Sequence, residues 1–592
     1  MPMTIQTPNC SSRVVTSADT DKTTSSKVAP GKTTPDKNRR NLILALLLLC
    51  ICLLTFLPTL GITKIIDPSD GFFAETAREM LESGNFIAPT LNYEPWNDKP
   101  ILNHWFVALS YALFGVSEYA SRIPAALCAS IACVATFVFG RIFLGRKIAF
   151  TAALMLLSGY LFQILGRVSL TDMPLTLFVN IGVFSLFTGM IKGDKRATTL
   201  GWASLGLAFL TKGPICLLIT FGSFLLYFLA TAKTLSVKNV LSSFKQLGIL
   251  KGLAIVAAIA VPWFAAAGIT THGGFLYDFF IVQNIQRASG VLVLNHEQPF
   301  WFYLPVIALA LFPYSALFPS MIPVVRKWWQ KRHVESLRIR FLFFCAAVCF
   351  TVLGGFSLLK GKLPTYILPL MPSLCLLFSA GIYTALKSTQ RLYLMIAAAV
   401  TVVASIAAVF IFPKSIDATG VAKTFAEGLI GVYIVSALVF VACVLTRRKF
   451  LALIQMAAVT TLTTAILIPF VLVEFYEKHQ LEFANVLNIA IEKKGTLSQV
   501  GDTAPSVSYY AHKQVPKIRT FFDLAATVAY PGEHYILAKN EYDDFLSHAP
   551  VRNLISRQGE WSLYSVADPK QELLNSYYTL DRIGNQQRLD RR

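Results

Sequence analysis

Ionisable side chains of both signs recur where the apolar stretches of this chain end. Residues 67–124 are the richest such segment, with Asp67, Asp70 and Asp98 preceding Lys99. A carboxylate can orient or deprotonate an acceptor, and cations can stabilise a departing phosphate. These residue types therefore favour transfer of a sugar from a lipid phosphate.

Similar side chains follow or end several later apolar stretches. We expect them to lie on one side of a membrane and to line one polar cavity, because charged groups near lipid are costly unless paired or functional. The alternative for a single Lys or Arg is an anchor at the end of a span. The candidates are Asp67, Asp70, Glu75, Asp98, Lys99, Arg122, Arg167, Asp172, Lys212, Arg287, His296, Lys360 and Lys362.

The elements that must position these residues are membrane spans. The chain has 592 residues, of which 54% are hydrophobic and only 15% are charged. Its repeated apolar runs of about 20 residues are long enough to cross a bilayer. The net charge of +20 is typical of an orientation signal rather than of a nucleic-acid-binding protein, because it is concentrated in alternate connections. We predict a polytopic membrane protein without a nucleic-acid partner.

The apolar periodicity predicts thirteen spans, and the basic connections between them set the orientation. Connections such as RIFLGRK and KGDKR lie on the side of the N-terminus, which is therefore predicted to be cytoplasmic. An odd number of spans places the C-terminal residues on the outer face. The predicted spans lie near 41–60, 120–140, 148–165, 173–191, 198–210, 213–231, 252–268, 301–324, 341–358, 364–385, 392–412, 427–446 and 451–473.

The composition changes twice along the chain and predicts three regions. Residues 1–38 have few large apolar side chains and are predicted to be a disordered cytoplasmic tail. Residues 39–473 form the transmembrane domain, with an outer loop over 61–119. Residues 474–592 alternate short apolar runs with Pro, Gly and Asp, which predicts a small α/β domain outside the membrane. This domain has no catalytic motif, and we expect it to be a lid or a partner platform.

Five segments of the chain resemble those of a known family in the same order: AETAREMLESGNFIAPTLNY, GRVSLTDMPLTLF, LTKGPI, QNIQRASGVLVLNHEQPFWFYLP and LLKGKLPTYILPLMP. The chain resembles the bacterial lipid A aminoarabinose transferases, within the protein-mannosyltransferase-like glycosyltransferases. The resemblance implies a GT-C fold, an α-helical polytopic architecture in the bacterial inner membrane. It also implies transfer of a sugar from undecaprenyl phosphate to lipid A or a related envelope acceptor on the periplasmic side.

The resemblance implies an acidic residue in the first outer loop. The family carries an Asp-Glu pair where this chain has Ser69 and Asp70. Asp70 is therefore the first choice for the acidic role, and Asp67, which lies two residues before Ser69, is the second.

Further roles follow from the same resemblance. Asp98 and Lys99 correspond to a Glu-Lys-Pro element of the family, and Asp172 corresponds to the acid of its TDMPL motif. Gln283 stands where relatives often have His, which makes His296 the more credible imidazole.

We assign positioning of the acceptor or sugar to Asp70, Asp67 and Asp172. An acceptor phosphate is already anionic and needs no strong base, whereas a hydroxyl must lose its proton to a carboxylate. The cations assigned to the donor phosphate are Lys99, Arg167, Lys212, Arg287, Lys360 and Lys362. The other residues assigned to the cavity are Glu75, Asp98, His104, His296 and Tyr366.

We expect neither a metal nor another cofactor. Carboxylates beside a phosphate can share Mg²⁺ or Mn²⁺ with it, but a lysine-rich site can stabilise the same charge without an ion. Nine of the ten cysteines fall in apolar spans, which indicates buried hydrophobic side chains rather than disulfides or a zinc site.

Three alternative functions remain open. One is a polyprenyl-phosphate-sugar-dependent transferase that acts on protein or on another envelope glycan. A secondary transporter would place ionisable groups near the membrane centre and often shows an internal repeat, whereas the spans near 392–412 and 427–473 are almost free of such groups. The third is a non-catalytic envelope assembly protein, with residues 474–592 as its partner module.

Overall fold

The computed structural model describes residues 35–232, 242, 244–287, 297–333, 336–385 and 431–566, without positions 433, 437, 444, 447, 494, 503, 529–531 and 548–552. His296, most of the predicted tail and the predicted span 392–412 lie outside the described residues. The chain divides into two compact units, Met1–Ile43 and Leu44–Arg592. The described part of the first unit is the beginning of the helix Pro35–Phe56. Every contact reported below lies within the second unit.

The protein is a helical, multi-pass membrane protein, as predicted. Two shorter apolar helices, Ile215–Thr231 and Ile434–Cys443, accompany seven described stretches that are long and apolar enough to cross a membrane. Those seven are Asn38–Thr59, Glu118–Leu144, Asp172–Lys192, Ile249–Thr270, Leu337–Ser357, Pro364–Ala385 and Phe450–Glu474.

Two of the predicted spans that lie in the described residues are each divided into separate helices. The predicted span 148–165 is divided into Arg146–Leu157 and Tyr160–Leu165. Gly159 lies at this break, where a Cβ atom would be only 3.1 Å from the carbonyl oxygen of Ala310. The predicted span 301–324 is divided into Tyr303–Ala310, Tyr314–Leu317 and Phe318–Gln330.

Small residues allow the spans to pack closely. Asp172–Lys192 and Lys195–Lys212 form an antiparallel pair across a short turn. A Cβ atom at Gly182 would lie 2.7 Å from Leu205 Cδ2, and one at Gly201 would lie 2.8 Å from Leu186 Cγ. Glycine at both positions therefore lets the two backbones approach, as is common between membrane helices. This pair matters for the site because Asp172, the first residue of one helix, and Lys212, the last residue of the other, lie together at the same end.

The segment predicted as the first outer loop, residues 61–119, is largely folded. It contains the helices Ser69–Ser83 and Leu102–Phe114, joined through a short hairpin of Thr90–Leu91 and Glu94–Pro95. The Ser69–Ser83 helix buries Phe73, Ala74 and Ala77, so this acid-rich segment has an apolar face as well as its charges.

The C-terminal region, residues 474–566 of the described chain, is an α/β structure, as predicted. Its mixed five-stranded sheet has the order Lys517–Ile518, Thr496–Val500, His534–Lys539, Trp561–Val566 and Asn553–Gln558. The first three strands are parallel and the last two pair antiparallel. Its helices are Pro505–Ala511, Phe521–Val528, Asn540–Tyr542 and Asp543–Ser547.

One helix joins this region to the membrane. Lys449–Glu492 runs without a break for 44 residues, through the predicted boundary at 473. Its last turns bury Phe483, Val486 and Leu487 against the sheet residues Leu497 and Leu537. The apolar part therefore spans the membrane and the amphipathic part forms the core of the C-terminal region. The remaining described elements are Leu57–Thr59, Gly274–Leu276, Tyr277–Gln286, Pro364–Leu370 and Met371–Ala385.

Candidate active site

Asp98, Lys99 and Arg287 meet just before the Leu102–Phe114 helix. Lys99 Nζ lies 2.7 Å from Asp98 Oδ2, and Arg287 Nη1 lies 4.0 Å from Asp98 Oδ1. The side chains of Lys99, Asp98 and Arg287 are 17%, 27% and 29% exposed, so each remains accessible to a ligand. Asp98 Oδ1 makes no hydrogen bond within the described part of the chain. Arg287 directly follows a π-helix, Tyr277–Gln286, and π-helical turns are frequent at functional sites.

A second ion pair lies beside the first. Lys212 Nζ is 2.8 Å from Asp172 Oδ1 and 5.0 Å from the centre of the Tyr366 ring. Asp172 begins its helix, where a carboxylate interacts favourably with the helix dipole, and Lys212 ends the neighbouring helix, where a cation does. Burial lowers the pKa of Lys99, and the nearby Lys212 and Arg287 lower that pKa further, although Asp98 opposes the change. We call Asp98, Lys99, Asp172, Lys212 and Arg287 the polar cluster.

The predicted cations Lys360 and Lys362 lie on a segment that is hydrogen-bonded to Gln298. Lys362 is buried and donates from Nζ to the carbonyl oxygen of Gln298, at 2.6 Å. Gln298 N–H in turn donates to the carbonyl oxygen of Lys360, at 3.4 Å. The Lys360 residue is exposed. Lys362 is therefore held by a backbone carbonyl, whereas the Lys360 side chain has no such partner in the described residues.

Asp70, the first predicted acid, is part of a buried clamp with Arg122. Arg122 Nη2 and Nε donate to Asp70 Oδ2, at 2.6 and 3.1 Å. The other carboxylate oxygen, Oδ1, accepts from the backbone N–H of Ser169, at 2.8 Å. Arg122 also donates to the carbonyl oxygens of Leu60 and Thr63. Both oxygens of Asp70 are occupied by protein groups, so the structure gives this carboxylate a positioning role. It holds the backbone of Ser169, which lies three residues before Asp172.

Arg167 is similarly occupied and is not brought to the polar cluster. Its guanidinium donates to the carbonyl oxygen of Thr55 at 2.6 Å, to Thr59 Oγ1 at 2.9 Å and to the carbonyl oxygen of Gln163 at 2.9 Å. It also stacks over Phe56, 5.0 Å from the ring centre. Burial lowers the pKa of Arg167 to about 10. These contacts hold the end of the Tyr160–Leu165 helix against the first span. The geometry therefore does not support the assignment of Arg167 to phosphate binding, which was made from the sequence.

Glu75 is paired within its own helix. Arg78 donates from Nε to Glu75 Oε2 and from Nη2 to Oε1, at 2.7 and 2.8 Å. Burial raises the pKa of Glu75 to about 7, although Arg78 opposes that change. Arg78 also donates to Glu82 Oε2 and to the hydroxyl of Tyr93. This network joins the Ser69–Ser83 helix to the hairpin and lies apart from the polar cluster.

Asp67, the second predicted acid, contacts the C-terminal region. Its carboxylate accepts hydrogen bonds from both the backbone N–H and the hydroxyl of Ser506. Its carbonyl oxygen accepts from Gln480 Nε2, at 3.0 Å. Burial raises the pKa of Asp67 to about 6, and the hydrogen bonds from Ser506 oppose that change. The structure therefore places Asp67 at a junction between two parts of the chain.

His104 is buried among aromatic rings. Its ring centre lies 5.3 Å from that of Trp96 and 5.2 Å from that of Phe73. The carbonyl groups of Pro100 and Ile101 are nearby, but neither imidazole nitrogen makes a hydrogen bond of normal geometry in the described chain. Burial lowers the pKa of His104 to about 4, so the imidazole is neutral at pH 7. It lies in the first turn of the Leu102–Phe114 helix, five residues after Lys99.

Two polar residues beside the cluster were not singled out by sequence reasoning. Asn97 Nδ2 donates to Asp278 Oδ2, at 2.8 Å, and this bond links the segment before Asp98 to the π-helix before Arg287. Asn97 and Asp278 are 181 residues apart and belong to no motif, so this contact could not be predicted from the sequence. Among the described residues, no group of three or more His, Cys, Asp or Glu side chains could hold a metal ion.

Comparisons with known proteins identify the fold. Residues 98–263 match the family model described as dolichyl-phosphate-mannose-protein mannosyltransferase, and that match begins at Asp98. A solved structure, ArnT from Cupriavidus metallidurans bound to undecaprenyl phosphate, aligns with a TM-score of 0.71 and 18% identity over 89% of this chain and 99% of that one. The chain has the ArnT fold. The predicted GT-C architecture is thereby confirmed.

Two curated relatives also support the predicted resemblance to the ArnT family. The chain is 31% identical over 349 residues to the undecaprenyl phosphate-alpha-4-amino-4-deoxy-L-arabinose arabinosyl transferase 2 of Proteus mirabilis. The alignment covers 58% of this chain and 60% of the relative. It is 31% identical over 362 residues to the corresponding arabinosyl transferase of Shewanella sediminis. That alignment covers 60% of this chain and 62% of the relative. The matches thus span about 60% of the length of these relatives.

Proposed function

We propose that this protein is a membrane glycosyltransferase that moves an aminoarabinose-like sugar from undecaprenyl phosphate to lipid A or a related envelope acceptor. The reaction takes place on the periplasmic face of the bacterial inner membrane, with the N-terminus in the cytoplasm. The names of the relatives and the ArnT fold support the reaction class. The observation that carries the proposal for this chain is the polar cluster, in which three cations and two carboxylates converge from four separate segments.

The cations of the cluster suit a donor phosphate. Burial is the main cause of the lowered pKa of Lys99, and Lys212 and Arg287 each lower it further by repelling the Lys99 charge. An anion bound beside Lys99 relieves that repulsion. Among the described residues Lys212 Nζ donates only to Asp172, which leaves two N–H groups for a ligand. When the bond between the sugar and the phosphate oxygen breaks, undecaprenyl phosphate leaves with the bonding electron pair. Preorganised cations stabilise that charge most effectively where water is scarce.

The carboxylates favour an acceptor that is already anionic. Asp98 and Asp172 are each engaged by a lysine, at 2.7 and 2.8 Å, and the carboxylate oxygen that contacts the lysine is occupied where an acceptor hydroxyl would have to approach. A phosphate oxygen of lipid A can attack the anomeric carbon without losing a proton. A hydroxyl of a protein or another glycan needs a base, and the two engaged carboxylates supply that function poorly. They are better suited to orienting the sugar or the acceptor.

The location of the cluster argues against a transporter. Its members lie in a loop, at the start of one helix, at the end of another and after a π-helix. A transporter would place such groups on broken helices near the membrane centre.

Mass spectrometry of lipid A from cells with and without the protein tests the proposal. A difference of one pentosamine is the expected result, and it should disappear in cells that express Lys99→Ala or Lys212→Ala. Lys195→Ala is the matched control, because Lys195 is an exposed lysine at the other end of the helix that carries Lys212. Unchanged lipid A together with a changed glycoprotein or glycan would move the acceptor to the alternative class.

The same assay in isolated membranes tests the expectation that no metal takes part. Transfer should persist in a chelator. Loss of transfer that is restored by Mg²⁺ or Mn²⁺ would contradict this expectation.

A further inference from the structure

We infer that Asn92 is a positioning residue through which the C-terminal region holds Asp98 and Lys99 in place. The inference rests on the proposed function in one respect, namely that Lys99 binds the donor phosphate. It gives the C-terminal region a task other than that of a mobile lid or a platform for another protein.

Asn92 locks the outer-loop hairpin onto the C-terminal region. Its Nδ2 donates to the carbonyl oxygen of Val515 at 2.9 Å, and its Oδ1 accepts from the N–H of Val515 at 2.8 Å. The same Oδ1 accepts from the hydroxyl of Ser508, at 2.7 Å. The side-chain amide of Asn92 thus pairs with the carbonyl and N–H groups of Val515, in the way that the backbone of a neighbouring strand would. Asn92 is only 4% exposed, so loss of its side chain would leave the Val515 backbone groups without these partners in a buried place.

The hairpin cannot turn this side chain aside easily. Asn92 and Tyr93 form its turn, with φ of 54° and 58°, and Asn is one of the few residues that adopt such angles readily. The N–H of Tyr93 donates to the carboxylate of Glu79, at 3.1 Å, and Thr90 donates to the same group. The turn is therefore fixed to the Ser69–Ser83 helix on one side and to Val515 on the other.

The hairpin leads directly into the polar cluster. Trp96 follows its second strand and stacks against Phe72, with ring centres 5.8 Å apart. Asn97 then bonds to Asp278, and Asp98 and Lys99 are the next two residues. Only five residues separate Asn92 from Asp98 and the segment is braced along its length, so a displacement at Asn92 reaches the ion pair. About 1 Å of misplacement at a catalytic group is enough to reduce a rate strongly.

The decisive variant is Asn92→Gly in the full-length protein. Glycine accepts positive φ without strain, so the substitution keeps the turn and removes only the three hydrogen bonds. Lys517→Gln is the matched control, since it removes the Lys517–Glu94 pair at 2.6 Å from the same hairpin, where Glu94 is 51% exposed. Such an exposed pair contributes little.

Two measurements are made on each purified variant. Hydrogen exchange reports the protection of backbone amides in residues 90–99. The dissociation constant for undecaprenyl phosphate is measured for Asn92→Gly, Lys99→Ala and the double variant. We expect Asn92→Gly to raise exchange in 90–99 and to weaken binding about tenfold, which corresponds to 1.4 kcal/mol. If Asn92 acts through Lys99, the double variant should bind no more weakly than Lys99→Ala alone.

Each other outcome has a distinct meaning. Unchanged exchange in Asn92→Gly, unchanged affinity, or losses that add in the double variant would overturn the inference. If the parent protein binds no undecaprenyl phosphate although exchange in 90–99 rises, the proposed function fails, while the coupling of Val515 to the hairpin stands.

Discussion

Two regions of the molecule combine carboxylates with cations, and they do so in opposite ways. In the Asp70–Arg122 clamp the side chains are 0% and 2% exposed. Backbone carbonyl groups and a backbone N–H occupy the remaining hydrogen-bonding positions of the two side chains. In the polar cluster the Lys99–Asp98 pair is 17% and 27% exposed, and Asp98 Oδ1 has no hydrogen bond within the described chain. The first arrangement has no hydrogen-bonding capacity left for a ligand, whereas the second retains donors on Lys212 and a carboxylate oxygen of Asp98 without a hydrogen bond in the described residues.

The comparison separates charges that hold the fold from charges that can act on a substrate. A buried pair becomes costly only when one partner is removed, because the other charge is then uncompensated. The protein loses less stability when a partly exposed pair is broken. The two regions should therefore respond in opposite ways to the same kind of substitution, with stability changing in one and activity in the other.

The largest effect is expected at the clamp. Arg122→Ala leaves Asp70 buried and unpaired, and we expect a loss of about 3–5 kcal/mol in stability. The result should be a much lower yield of folded protein, measured by size-exclusion chromatography in detergent. Asp70→Asn keeps an acceptor for the N–H of Ser169 and should be less harmful. A stable, monodisperse Arg122→Ala protein that is inactive would instead place Arg122 in the active site.

The next effect is expected in the polar cluster. Lys99→Ala should reduce transfer by about 100-fold or more, the loss typical of removing one preorganised donor to a developing negative charge. The thermal unfolding midpoint should stay close to that of the parent, because this pair is partly exposed. A comparable loss in both activity and stability would erase the distinction between the two regions.

A moderate effect of pH is expected at Asp67. Its pKa is raised from 3.8 to about 6, so the folded state holds this proton more tightly than the unfolded state does. The resulting stabilisation is complete below about pH 4 and is lost as pH rises from 4 to 6. We expect a decline of about 1–2 kcal/mol over this window after allowance for partial exposure. Asp67→Asn should flatten the profile, and an unaltered slope would assign the titration to another group.

The smallest effect is expected at Lys360. Although the sequence assigns this cation to the donor phosphate, the residue is exposed, and only its backbone pairs with Gln298 in the described residues. Lys360→Ala should change transfer less than about twofold, within the range typical of exposed charges. A loss as large as that of Lys99→Ala would extend the polar cluster to the 360–362 segment.

The sequence allowed the architecture and part of the site to be predicted. Asp172 and Lys212 were both assigned to the cavity from sequence, and they do form a pair. Arg167 was assigned on the same grounds, but it lies against the first span. The reason is that each assignment rested on a charge at the end of an apolar stretch. That pattern indicates the depth of a residue in the membrane and not the direction in which its side chain points.

Hydrophobic runs, basic connections and residue types determined by themselves that this chain crosses a membrane many times and carries an α/β region after its last span, because apolar length and strand periodicity are local properties. Only the tertiary structure decided that both oxygens of Asp70 are satisfied while Asp98 Oδ1 has no hydrogen bond in the described chain, and that Asn92 reaches Val515 across 423 residues. Whether a charge is satisfied depends on which backbone groups surround it, and chain segments far apart in sequence supply those groups.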